Sequence, residues 1–417
     1  MNNTIEKSSG MPGYKDEPID VYFDVIAKSL YQNKRFGDAA AILDIASKYV
    51  QPSNVYSVLT SARECYFLSG DVVTAYNILL YQEQFIPSNN TNNVYDKIIY
   101  LRYLGKYEEC EHVIKTQASG EIKYRALGWF SHKKGDFKEA FLLTEKGRNG
   151  KYRFNSNVKN PYPIWDGKTI CDNIVVFAET GCGNEIIFSR WLKDLQPYCT
   201  NIYYCTATSL SMVFERVFGV KSYTSNTTLP GDTRFIPMMS LPYLLDKDNI
   251  ENRTYLTSNN EHISQYLPKS RPRIGIQLTG DLNYTENNHR TIPESIFIDT
   301  FKLFGELVNI GSNYMEERKD VTYYMNDTWE ETLALIDTCD VIVTCCTSIA
   351  HAAGALGKKT VVLCNMADYF TWCSTPHLGM SPWYENVWCV RQQQPGNWSD
   401  AIDQAATIVS DIIATNS

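Results

Sequence analysis

Long hydrophobic runs are missing from this 417-residue chain: none approaches the ~20 apolar residues that a membrane-crossing helix needs. The opening MNNTIEKSSGMPGYKDEP also lacks the apolar centre of a signal peptide. Residues 1–20 are therefore expected to form a disordered lead-in, and the protein is expected to be cytoplasmic. Positive charge is in deficit, with 39 Lys and Arg against 47 Asp and Glu, a net charge of −8 and a pI near 5.4. That argues against a broad nucleic-acid surface, whose affinity rests on phosphate neutralisation, while leaving room for a local basic groove. Histidine is scarce, with six in all and no H-x-x-x-H or Cys/His spacing, so no zinc site is expected. The twelve cysteines include no C-x-x-C pair, and Cys171, Cys205, Cys345 and Cys364 sit in apolar runs as small hydrophobes. A reducing compartment fits better than a disulfide framework.

What is present divides into two textures. In the first third, KRFGDAA, GDVVTAY, GKYEECE and GDFKEAF share one pattern: Phe36, Val72, Tyr107 and Phe137 are each followed three positions later by Ala39, Ala75, Cys110 or Ala140. Spacings of 36, 35 and 30 bracket the roughly 34-residue period of helix–turn–helix repeats. The small residue lets two helices approach, and the larger one fills the groove beside it. Residues 21–150 are assigned to tetratricopeptide-like helical repeats. After an Asn/Pro/Gly-rich stretch at 151–169, short β-rich runs alternate with helical ones. Strands are expected at 169–179, 201–207, 271–280, 340–345 and 360–365. Helices are expected from Asn184 to about Leu195, near 209–218, 294–306 and 328–337, and from Ser348. Such alternation predicts parallel sheets and βαβ units. A linker at 265–271 divides them into two Rossmann-like halves, 160–268 and 270–395, closed by a helix within 396–417.

The stretch CDVIVTCCTSIAHAAGALGKKTVVLCN ends a buried strand on Thr347 and Ser348, then begins a helix with almost no bulk. At the carboxyl end of a strand in an open α/β sheet, a helix start offers unpaired N–H groups and the positive end of its dipole. The Ala-Ala-Gly-Ala run lets that helix lie close to the sheet. Two readings stand on this motif alone: a diphosphate cradle, or a capped and tightly packed helix without ligand.

Neighbouring segments carry a resemblance. DVIVTCCTSIAHAAGALGKKTVVL, ADYFTWC, SPWYENVWCVRQ and PGNW resemble the C-terminal half of bacterial tetratricopeptide proteins with a heptosyltransferase-like domain of glycosyltransferase family 9. Upstream, WDGKTICDNIVVFAETGCGNEIIFSRWL, FIPMMSLPYLL and PRIGIQLTGDLNYTENNHRTIP resemble that family's segments in the same order. The resemblance implies a GT-B fold behind the repeats, with an acceptor half, a nucleotide-sugar half and a C-terminal crossover helix. It implies inverting, metal-independent transfer of a sugar from a nucleotide-diphosphate donor, a UDP-sugar as first guess, to a hydroxyl of a protein, peptide or glycan. No cofactor is implied beyond that co-substrate. The leaving diphosphate would be met by Thr347, Ser348 and Arg290, which stands at the family's arginine position. Gln277, Thr279 and Gly280 would face the same cleft, with Cys346 and His351 beside the donor; packing is the competing role for His351.

The chain departs from the family at two points. The opening loop reads Gly181-Cys-Gly183-Asn184 where the family has Gly-x-Gly-Asp with the general base, and Cys346 replaces an Asp before the Thr-Ser pair. Glu179 is the leading substitute base, with a structural brace as its competing role, and Asp281 and His289 follow. Trp372, Trp383, Tyr384 and Trp398 have two competing roles, stacking on base or sugar and filling cores or domain seams, and Trp372 and Trp383 are expected near the cleft. Asp246-Lys247-Asp248 is taken as a solvated charge run rather than a metal motif. Two further functions stay open: a glycosyltransferase acting on hydroxymethylated bases of phage DNA, and a non-catalytic repeat scaffold on a degenerate GT-B body. Partners on these readings are a nucleotide-sugar, an acceptor protein, glycan or modified DNA, and a protein bound through the repeats, with no membrane insertion.

Overall fold

A computed structural model describes residues 19–85, 91–266, 271–311, 317–367, 369–375 and 378–416. All but the last two residues of the expected lead-in, the middle of the 265–271 linker and Asp368 lie outside the described residues. The chain forms two compact units, Met1–Ser88 and Asn89–Ser417.

The first unit is two helical hairpins: α1 (Ile19–Gln32) with α2 (Phe36–Ala46), and α3 (Pro52–Ser69) with α4 (Val72–Glu83). The repeated Gly-Asp explains the turn. Gly70 ends α3 in the left-handed region (φ 97°), and the Asp71 carboxylate accepts the Thr74 N–H at the start of α4. The second unit opens with α5 (Thr91–Tyr103), α6 (Tyr107–Thr116), α7 (Gly120–Lys134) and α8 (Phe137–Arg148). Gly135 and Asp136 repeat the device between α7 and α8. Ala39, Ala75, Cys110 and Ala140 are completely buried, as close helix approach requires.

The rest of the second unit is two α/β halves. In the first, β1 (Cys171–Phe177), β2 (Cys199–Cys205), β3 (Lys221–Ser222) and β4 (Thr233–Pro237) form a parallel sheet in the order β3-β2-β1-β4. Its helices are α9 (Cys182–Ser189), α10 (Leu210–Phe218) and the single turn α11 (Leu241–Leu244). The helix expected to reach Leu195 stops at Ser189. Arg190 turns away to bond the Trp383 carbonyl and the Tyr255 hydroxyl, and a 3-10 stretch containing Pro197 follows.

After the short α12 (Asn260–Ile263), the second half runs β5 (Arg273–Gln277), α13 (Glu294–Phe301), β6 (Glu306–Asn309), β7 (Val321–Tyr323), α14 (Trp329–Thr338), β8 (Val341–Cys345), α15 (Ser348–Ala355), β9 (Thr360–Cys364), β10 (Leu378–Met380), β11 (Val387–Arg391) and α16 (Ser399–Asn416). The sheet order is β10-β11-β9-β8-β5-β6-β7, parallel except for β10. The helix expected over 294–306 is therefore shorter, and its last residue begins β6. Gly305 permits this because a Cβ there would strike the Pro272 carbonyl, which accepts the Glu306 N–H at 2.8 Å. Strands β5, β8 and β9 are buried along their whole length, and Ala401, Ile402, Ala405 and Val409 of α16 cover one face. In both sheets the chain reverses its strand order beside one strand, β1 and β5. In open α/β sheets ligands settle at the carboxyl ends of strands at such switch points.

The halves and the last repeats pack on one another. Arg102 of α5 donates to the Ala367 carbonyl at 2.8 Å, and the Tyr107 hydroxyl donates to the Met366 carbonyl at 2.9 Å. His132 of α7 is enclosed by the rings of Phe137, Phe141, Phe370 and Trp383. Burial lowers its pKa to about 3, so it is neutral in the folded protein and charges on unfolding below about 6.5. The unfolded state thus binds the proton first, and stability is lost as pH falls from about 6.5 towards about 3. Against His132→Phe, which has no such proton, wild type should lose stability over that window with a limiting slope of about 1.4 kcal/mol per pH unit. Urea midpoints of the two proteins across the window check it; parallel pH profiles refute it.

Candidate active site

The carboxyl ends of β1, β5 and β8 open onto one cavity of about 650 Å³ between the halves. The first half contributes Thr180–Asn184 and Ser209; the second contributes the loops after β5, β6, β7 and β8. Because β5 and β8 pair in parallel with Gln277 opposite Thr344, the loops that follow them are brought side by side. Helices α9 and α15 both start at this cavity and pack together. Neither Gly181 nor Thr347, their N-cap residues, makes a side-chain capping bond. Two positive helix ends therefore meet at one place.

The loop after β5 is organised by Asn287, a residue that sequence reasoning passed over. Its Oδ1 accepts from Gly280 N and Arg290 Nε, both at 3.0 Å, and its Nδ2 donates to Thr279 Oγ1 at 2.8 Å. Arg290 Nη1 donates to the Cys346 carbonyl at 2.9 Å, and the guanidinium lies over the Tyr284 ring at 4.9 Å. Nη2 has no protein partner among the described residues. A Cβ on Gly280 would overlap Nη2, so glycine there makes room for the arginine.

Of the residues singled out in the sequence, Gly181, Gly183, Asn184, Gln277, Gly280, Asp281, Arg290, Cys346, Thr347, Ser348 and His351 line the cavity. The Thr347 hydroxyl stands 3.5 Å from that of Thr344, and the Ser348 hydroxyl makes no protein hydrogen bond among the described residues. Gln277 donates to the Thr279 carbonyl, and Thr279 faces Asn287 and Thr291 instead of the cavity. His351 stacks on Trp372 (4.7 Å, 6°), meets the Tyr384 hydroxyl at 3.1 Å, and approaches Gly183 closely. Burial, reinforced by the charge of Arg190, lowers its pKa to about 3.

Glu179, His289, Trp372 and Trp383 are absent from the cavity lining. The Glu179 carboxylate is bound by Arg148 of α8 and by the Met239 N–H at 3.0 Å, although burial pushes its pKa up. This is the brace geometry. His289 is buried against the Tyr103 ring at 4.5 Å. Trp372 and Trp383 are fully buried, Trp372 donating to Cys346 Sγ at 3.2 Å and Trp383 packing on Trp191 and Phe370. The Asp246-Lys247-Asp248 run is a surface charge run: both aspartates are exposed, Lys247 pairs with Asp194 at 2.7 Å and Asp246 with Lys138 at 2.8 Å. Tyr284, Asp327, Trp329 and Tyr369 line the cavity and were not foreseen. They come from loops and one helix start, where sequence periodicity carries no signal.

Asn184 holds the halves together. Its Nδ2 donates to Thr180 Oγ1, and its Oδ1 accepts from the Tyr369 hydroxyl at 2.5 Å. Ser209 accepts the Trp329 N–H at 3.0 Å, and Arg216 forms a two-pronged pair with buried Glu330 at 2.9 and 2.7 Å.

No family model matches the chain, and no curated protein matches it. Solved structures that resemble it include glycosyl transferase family 9 from Veillonella parvula DSM 2008, at 12% identity over 63% of this chain and 100% of that one, with a TM-score of 0.43. Escherichia coli ADP-heptose LPS heptosyltransferase II follows at 12% identity, covering 59% and 99%, TM-score 0.42. A mutant O-GlcNAc transferase from Thermobaculum terrenum is matched over 96% of this chain and 94% of its own, at 10% identity and TM-score 0.32. The body is GT-B. Two Rossmann-like halves face each other across a cleft, preceded by helical hairpins and ended by a helix.

Among the described residues, no group of three or more His, Cys, Asp or Glu is arranged to hold a metal. Gly280→Ala should displace the Arg290 guanidinium while leaving the strands intact. On a diphosphate-binding reading of this cavity, the affinity for a nucleoside diphosphate should fall about tenfold, one lost charge-assisted contact. Titration calorimetry with the best-binding diphosphate measures this, and unchanged affinity would show that Arg290 does not touch the ligand.

Proposed function

We propose that the protein is a metal-independent, inverting glycosyltransferase that moves a sugar from a nucleotide-diphosphate donor to a hydroxyl acceptor. The observation that carries this reading is the meeting of the uncapped α15 N-terminus with Arg290 at the switch point of the second sheet. In the step, the acceptor oxygen attacks the anomeric carbon from the face opposite the diphosphate. The bond from that carbon to the diphosphate oxygen breaks, and its electron pair leaves with the diphosphate. The charge that gathers there is stabilised by the N–H groups of α15, the Ser348 hydroxyl and the guanidinium. The acceptor's proton goes to Asp281, which lines the cavity and is exposed, unlike Glu179 and His289.

The competing reading is a repeat scaffold that binds a nucleotide without turning it over. Asn184 favours it: an amide tied to Thr180 and Tyr369 replaces a base with an inter-half clamp. Thermal melts with UDP, ADP, GDP and CDP, followed by donor hydrolysis, separate the two. One nucleotide at 100 times its Kd should add about 2.7 kcal/mol of stability. Asp281→Asn should then lower turnover by about 10²–10⁴-fold while the thermal shift persists, and Arg290→Ala should weaken both. A shift without turnover in wild type would select the scaffold, and no shift with any nucleotide would remove the donor site.

A further inference from the structure

A second cavity of about 310 Å³ lies between α5 and α7 of the repeats and the nucleotide half. Its walls on the repeat side include Tyr95, Arg102, Tyr103 and Arg125 among apolar residues of α5 and α7; on the other they include Glu286. It shares Tyr284, Arg290, Cys346 and Tyr369 with the large cavity, so the two meet at the guanidinium. The Tyr369 hydroxyl that spans to Asn184 stands at this boundary.

We infer that this second cavity is the acceptor vestibule, and that it takes an acidic peptide segment carrying the hydroxyl to be modified; this rests on the glycosyl-transfer reading above. Charge is the first argument. The chain carries a net charge of −8, yet this cavity gathers Arg102, Arg125 and Arg290 against Glu286 alone. A cationic island in an acidic protein draws an anionic segment and repels little of what it needs to bind. Its side chains are already arranged. Arg102 is held over the Trp129 ring at 4.1 Å with Nη2 on the Ala367 carbonyl, and Glu286 accepts from the Tyr103 hydroxyl at 3.1 Å. Arg125 donates Nε to the Gly147 carbonyl at 3.0 Å, its Nη2 stands 3.8 Å from Glu121 at the edge of the site, and its side chain is 60% exposed. Tyr95, also exposed, adds a flat apolar face with a polar tip.

Connection is the second argument. An extended segment laid along α5 and α7 would reach Arg290, where the donor's diphosphate is expected, without entering through the donor's own opening. A peptide suits the site better than nucleic acid. Arg102 and Arg125, beside the Arg290 that faces the diphosphate, can pair with one or two carboxylates, whereas a strand of DNA needs a row of cations along its phosphates.

The test uses the full-length protein and two fluorescent peptides, a Ser-containing sequence rich in Glu and its Gln counterpart, followed by anisotropy. The Glu peptide should bind about tenfold or more tightly than the Gln peptide, with an affinity that falls as salt rises. Arg125→Glu should weaken it by about tenfold and Arg125→Lys should restore most of the loss. Tyr95→Ala, at a second exposed position, should weaken it independently should the charge reversal unfold the chain. Equal binding of the two peptides, indifference to Arg125→Glu, or tighter binding of single-stranded DNA than of the Glu peptide would each overturn the assignment. Nucleotide melts read the donor site separately, so a failed vestibule and a failed donor site give different patterns.

Discussion

The Arg290 guanidinium is the joint on which the rest of the site depends. Its Nε is spent on Asn287 and its Nη1 on the Cys346 carbonyl, which ties the loop after β5 to the first residue after β8. The remaining Nη2 lies against Gly280, at the border of both cavities. A cation held this way loses little further freedom when it meets an anion. The adjoining helix ends add a fixed positive potential that needs no reorganisation.

Around that joint the inter-half contacts form a second constraint. Arg190 reaches from the end of α9 into rings of Tyr255, Trp383 and Tyr384, and Tyr384 in turn meets His351 beside Gly183. Asn184 bonds Tyr369, and Arg216 bonds Glu330. The two halves are thus fastened at several points. The buried ion pair Arg148–Glu179 adds specificity of docking more than net stability, since each charge has given up most of its water, whereas in Arg216–Glu330 only the carboxylate is buried. Glu179 thereby connects α8 of the repeats to the first strand of the sheet, which explains a carboxylate kept at that position without access to the cleft.

Much of the architecture was legible in the chain. The Gly-Asp turns gave the hairpins because left-handed glycine and capping aspartate act within a few residues. The buried strands β1, β5, β8 and β9 showed as apolar runs. The shorter β6, β7 and β10 did not: three or four residues are too few for a period, and their pairing is set by neighbours in the sheet. The Thr347–Ser348 helix start and the Arg290 loop were also readable, because each rests on local geometry and a motif in order.

The sequence by itself determined where helices turn, which strands are buried and which residues stand at strand ends, since propensity, capping and periodicity are short-range effects. Only the tertiary structure decided the fate of the polar groups. It gave Glu179 to Arg148, sank Trp372 and Trp383 into the core, made Asn287 the organiser of the Arg290 loop, and set the repeat arginines beside the cleft between the halves. Those outcomes depend on which distant segment supplies the partner or excludes the water, and separation along the chain carries no information about that.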